Sequence, residues 1–185
     1  MDLRTRRLCT ALAELLSYPA TPEATLAALR EAVDLVPAGT PGREALARFA
    51  AHVETSDPSS LQELYTSTFD LQPACAPYFG HQLLGEEESA RRGPLLARLA
   101  AIYAREGFRP REELGDHVAE ALRFIGCARS TPERDDLVRD GLVPAMRRML
   151  DTFTDRSNPY RDLLLVVDDT LSARLQTPAT AEVAR

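Results

Sequence analysis

The chain contains no lysine: all 22 of its basic residues are arginine. We read that bias as genomic composition rather than function. Tryptophan is absent too, and the three cysteines, Cys9, Cys75 and Cys127, form no Cys-x-x-Cys pair. An odd, scattered set of this kind builds neither a disulfide framework nor a zinc pattern, and it suits a reducing cytoplasm. No apolar run reaches the ~20 residues that span a bilayer, so direct membrane insertion is not expected. Glycine-rich phosphate loops and dinucleotide fingerprints are missing. The net charge of -6 argues against a general nucleic-acid binder, which needs a basic surface to neutralise phosphate. It suits a partner that carries positive charge.

Arg6-Arg7 invites comparison with a twin-arginine export signal. Glu14 interrupts the apolar stretch that follows, and no small-residue cleavage site comes after it. Leu8, Leu12, Leu15 and Leu16 instead fall on one face of a packed amphipathic helix. The expected location is the cytoplasm.

What is present is helical periodicity along the whole chain, with no alternating strand pattern. At 185 residues and 44% apolar content, one domain around one core is expected. Tyr18-Pro19 ends the first helix, because proline disfavours helix at the residue before it. Pro22 opens a second, with Leu26, Leu29, Val33 and Val36 on one face. Ala45, Leu46, Phe49 and Val53 mark a third. Ser56-Asp57-Pro58 reads as an N-cap and a first-turn proline for a helix through Leu61, Leu64, Tyr65 and Phe69.

Pro73 and Pro77 break the pattern before a short helix through Leu83 and Leu84. Leu95, Leu96, Leu99, Ile102 and Tyr103 form the longest apolar stripe and are expected in the core. Val118, Leu122 and Ile125 mark the next helix. Another starts at Thr131-Pro132-Glu133 and is kinked near Gly141 and Pro144. Asn158-Pro159 starts the last. The expectation is an all-α single-domain bundle of about eight to nine helices over residues 1–176, with a frayed tail over 177–185.

Little of this looks catalytic. Glu113 and His117 share a helical spacing, but a two-metal carboxylate site needs two such sets and only one exists. No metal site is expected. Cys75 and His81 are the only local thiol–base pair, and Cys75 reads better as a small apolar loop residue.

The informative stretch is instead an aromatic and acidic one. Tyr65 and Phe69 lie four apart and share a helix face, where core packing and a ligand surface are both open readings. Asp70 must stay solvated or find a donor, and on a groove it could accept hydrogen bonds from an arginine. Asp116-His117 reads either as a helix N-terminal pair or as part of that surface. Asp70 and His117 are taken as surface residues whose loss costs little stability. Glu86, Glu87 and Glu88 add to the negative charge.

Taken in order, Tyr65-x3-Phe69-Asp70, the proline-bearing loop to Tyr78, Gly85-Glu86, Arg92-Gly93 and Glu113-Leu114-x-Asp116-His117 resemble the molybdoenzyme maturation chaperones of the TorD, DmsD and NarJ types. The spacing is most similar to the nitrate reductase delta-subunit (NarJ-type) branch. Pro144 and Asn158-Pro159-Tyr160 add to the match, which covers roughly residues 8 to 172. Gly115 departs from the proline usual in the last motif, and the lack of tryptophan is a second departure.

The resemblance implies an all-helical chaperone without catalytic activity. It would bind the N-terminal leader of the catalytic subunit of a molybdenum oxidoreductase, often a twin-arginine signal. It would hold that subunit until molybdopterin guanine dinucleotide has been inserted, without stably keeping a cofactor of its own. Carried over by motif, the peptide-binding residues are Tyr65, Phe69, Asp70, Asp116 and His117, with Tyr78 and Glu86 as weaker members. Exchange of a helix between protomers would make a homodimer possible. Two other classes remain: a helical enzyme using His81, Cys75 or His117, and a helical regulatory adaptor for another protein.

Overall fold

The computed structural model describes residues 1–71, 73–85, 89–129 and 131–176. Among them, helices are the only extended regular structure: α1 (Leu3–Leu15), α2 (Pro22–Leu35), α3 (Pro41–Thr55), α4 (Pro58–Phe69), α5 (Phe79–Leu84), α6 (Ser89–Arg105), α7 (Val118–Cys127), α8 (Pro132–Asp136), α9 (Val143–Thr152) and α10 (Pro159–Gln176). A π-helical segment, Leu137–Leu142, joins α8 to α9 without a break. Counted as continuous rods, this is the expected number. Residues 177–185 and Glu86, Glu87 and Glu88 lie outside the described residues.

Helix starts follow one local rule. Thr21, Thr40, Asp57 and Thr131 each accept a backbone N–H from the first turn, and proline follows each of them. Proline lacks an N–H that would be unpaired there anyway and already has the helical φ. Asn158 does the same before Pro159, taking the N–H of Tyr160 at 3.0 Å.

The kink expected near Gly141 and Pro144 is a π turn. Pro144 has no N–H to give to the carbonyl four residues back, and its ring crowds that carbonyl. The chain widens just before it, and the N–H of Val143 reaches back five residues to Val138.

In the core, α1 packs between α2 and α7, while α10 packs against α3 and α9. Cys9, Leu12, Leu46, Leu122, Met146, Leu163 and Val167 are fully buried there. Arg123 ties α7 to the end of α1. Its guanidinium reaches Glu120 at 2.6 Å, Glu14 at 3.1 Å and Ser17 at 2.5 Å, and the Glu120 side chain is wholly buried.

The stripe on α6 is less deep than expected: Leu99, Ile102 and Tyr103 are buried, but Leu95 and Leu96 only half so. α4 approaches its neighbours sparsely along its backbone. Large rings hold it instead, with Tyr65 and Phe69 packed against Tyr160 at centroid distances of 5.8 and 5.0 Å.

Candidate functional site

The signature residues between positions 65 and 117 come together as a closed joint. Tyr78 and His117 pair in a short antiparallel bridge. Phe79 N–H donates to Asp116 O at 2.8 Å, and Val118 N–H to Pro77 O at 2.9 Å. The proline loop therefore lies against the start of α7. His117 is the N-cap of that helix, and its Nδ1 accepts the Ala119 N–H at 3.1 Å. Its ring meets Tyr78 edge-on, 5.3 Å between centroids.

Charge closes the joint. Arg92 donates from Nε to Asp116 Oδ2 at 2.8 Å and from Nη2 to Oδ1 at 3.1 Å, a bidentate pair with a carboxylate that is fully buried. The same guanidinium lies over the Tyr78 ring, 4.7 Å from its centroid. The Tyr78 hydroxyl donates to Glu113 Oε2 at 2.8 Å; burial, reinforced by this hydrogen bond, pushes the phenol up to about 12. Burial, with the nearby Arg123 charge, lowers the His117 imidazole to about 4, so it is neutral at ordinary pH.

Gly80 is confined by the same joint: an added Cβ would stand 2.5 Å from Asp116 Oδ2. Gly115, where the family pattern has proline, is pinned rather than loose. Its carbonyl accepts the Tyr103 hydroxyl at 2.7 Å, and an added Cβ would meet that ring at 3.1 Å.

This burial corrects the expectation of a surface. Tyr65 and Phe69 are 3% exposed, Asp116 0% and His117 1%. The two rings belong to the cluster with Tyr160, and the two polar residues to the joint; neither pair lies open to solvent. Asp116 satisfies its carboxylate through Arg92, a partner the sequence analysis quoted only as part of a motif. His117 is therefore no surface residue of small structural weight. Tyr78 is half-buried, and Asp70 is exposed at the C-terminal end of α4. Glu86 lies outside the described residues.

The features weighed for catalysis do not form a reactive set. Cys75 is buried, and burial pushes its thiol up to about 11, away from the reactive thiolate. Its Sγ is directed at Met149 O, 3.7 Å away. Glu113 is engaged by Tyr78, and the His117 Nδ1 by α7. Among the described residues, no group of three His, Cys, Asp or Glu side chains could hold a metal ion. No helix of the described residues is long and apolar enough to cross a membrane.

What the sequence analysis missed is where the charge lies. Residues 49–90 hold seven of the 28 carboxylates and none of the 22 arginines. The remaining 21 carboxylates nearly balance the arginines, so this one segment carries the net charge of the chain. A count by segment would have found it. Four of the seven are described, Glu54, Asp57, Glu63 and Asp70, and all are exposed around α4. None of the four is in an ion pair among the described residues.

The chain is thus a helical bundle with a closed Tyr78–Asp116–His117 joint and exposed carboxylates around α4. A search of solved structures matches it to a protein from Archaeoglobus fulgidus described as a redox enzyme maturation protein. The TM-score is 0.59 at 22% identity, with 93% of this chain and 95% of that one covered, which shows the shared fold. The family model for the nitrate reductase delta subunit matches residues 37–165. The chain belongs to the nitrate reductase delta subunit family. Comparison with curated protein sequences gives no match. Membership of that family supports a molybdoenzyme maturation chaperone.

Proposed function

We propose that this protein is a cytoplasmic chaperone that holds the catalytic subunit of a molybdenum oxidoreductase by its N-terminal leader. It would do so while molybdopterin guanine dinucleotide is inserted and before the subunit docks at the membrane or is exported. The observation that carries this reading, beside family membership, is the arginine-free acidic segment around α4. A twin-arginine-type leader is cationic and apolar, and such a peptide fits an apolar surface rimmed by carboxylates.

The site residues divide into two roles. Tyr65 and Phe69 anchor α4 against Tyr160, while Asp116 and His117, with Arg92 and Tyr78, hold the loop that follows α4 against the start of α7. Asp70 and Glu86 are the members of the motif set assigned to direct contact with the peptide. Ordering a flexible leader consumes ~2–5 kcal/mol of the gross interaction, which keeps the complex reversible.

Purification of the tagged chain from its own host, with mass-spectrometric identification of what is retained, tests the proposal. The expected partner is a molybdenum-oxidoreductase catalytic subunit, lost when its leader is deleted. Retention of an unrelated protein, or retention independent of the leader, refutes it.

A further inference from the structure

We infer that the leader is seated in two clefts on either side of the α1–α2 connection, flanking α4, a location that rests on the function proposed above. One cleft, about 320 Å³, lies between α2, α3 and α4, where Leu26, Val53 and Leu61 provide apolar lining beside Glu54 and Asp57. The other, about 390 Å³, follows the outer side of α4 from Tyr18 to Leu71 and includes Glu63. The first is at the small end of ligand-sized clefts, ~300–1,000 Å³. The connection gives Tyr18 to one cleft and Pro19 to the other. Gln62 Nε2 donates to Pro19 O at 3.1 Å and pins that connection to α4.

Three observations select a cationic, amphipathic peptide as the occupant. Among the described residues no arginine lines either cleft, although the chain has 22. The carboxylates there are uncommitted to cations, and Asp57 is held ionised by the hydroxyls of Ser59 and Ser60, each at 2.6 Å. Finally, Tyr18 and Leu71, 48% and 74% exposed, are two of the five large apolar residues open to solvent among those described, and both line the same cleft. Apolar side chains of the leader enter the clefts, and its arginines meet Glu54, Glu63 and Asp70 at the rims.

The test uses the full chain and a synthetic leader peptide with paired arginines ahead of a leucine-rich stretch, one leucine replaced by a photo-crosslinking residue. Cross-links should fall on Tyr18, Leu26, Leu61 or Leu71. The double variant Glu54→Arg/Glu63→Arg should weaken binding about tenfold or more, as reversed rim charges do. Leu71→Ser, at an open position, should weaken it about threefold, the scale of a modest interface contact. Unchanged affinity in both variants, with cross-links elsewhere, overturns the location while leaving the chaperone function standing. Failure of the wild-type chain to bind the peptide, together with no retained catalytic subunit, removes both. Sedimentation showing that the double variant loses self-association instead of peptide binding would assign the face to a second copy, and overturns the inference as well.

Discussion

Replacing Arg92 with alanine probes the joint at its most exposed partner. Asp116 is 0% exposed and receives its two side-chain hydrogen bonds from this one guanidinium, while Arg92 keeps 29% of its own surface open. Removing the arginine leaves a buried carboxylate without its two side-chain donors. Breaking a buried pair from one side typically costs ~3–5 kcal/mol. Because the site opens toward solvent on the arginine side, the lower end, about 3 kcal/mol, is expected. For a chain of this size that is a melting-temperature drop of roughly 6–12 °C.

Asp116→Asn keeps the shape and leaves an arginine that can turn to water, so it should cost less, about 1–2 kcal/mol. In the double variant the two losses should fall well short of adding. Urea unfolding monitored by circular dichroism, with both single variants and the double, gives all three values. A loss below 1 kcal/mol for Arg92→Ala, or full additivity, refutes the account of the joint.

His117 should impose a pH dependence on stability. Its folded value of about 4 lies below the ordinary 6.5, so the unfolded chain binds the extra proton. Stability is therefore full above pH 6.5, declines as pH falls toward 4 and levels off below, by up to about 3 kcal/mol. His117→Ala should remove this slope in denaturation curves and cost about 2–4 kcal/mol at pH 7 through the lost cap and the cavity. Gly80→Ala should lower stability by about 1–3 kcal/mol, since its Cβ collides with Asp116 and with Leu95 Cδ2 at 2.8 Å. Asp70→Ala should stay within about 1 kcal/mol of the parent, because the side chain is exposed, yet weaken leader binding in calorimetry. Leader affinity should also fall as salt rises, since exposed attractions are screened over ~8–10 Å at physiological ionic strength.

The helical layout was legible because its determinants are local. Thr21-Pro22, Thr40-Pro41, Asp57-Pro58, Thr131-Pro132 and Asn158-Pro159 each announce a helix start within two residues. The joint was not legible. Whether Asp116 is a solvated rim group or a buried anion depends on Arg92, 24 residues earlier and on α6. Periodicity likewise left Tyr65 and Phe69 between core and surface, and Tyr160, far along the chain, decides for the core. The π turn before Pro144 was readable only as a kink, because a proline shows where the ladder must change but not how. The acidic window over residues 49–90 was legible all along and needed only a segment-by-segment count of arginine.

The central claim is that this chain matures a molybdenum oxidoreductase, and the molybdenum content of the client tests it most directly. The catalytic subunit is purified from cells with and without this chain, and its metal is quantified by mass spectrometry. Subunit made without the chain should be poor in molybdenum. Content should be restored by the wild-type protein and only partly by Glu54→Arg/Glu63→Arg. A client that fills to the same molybdenum content in its absence would contradict the account.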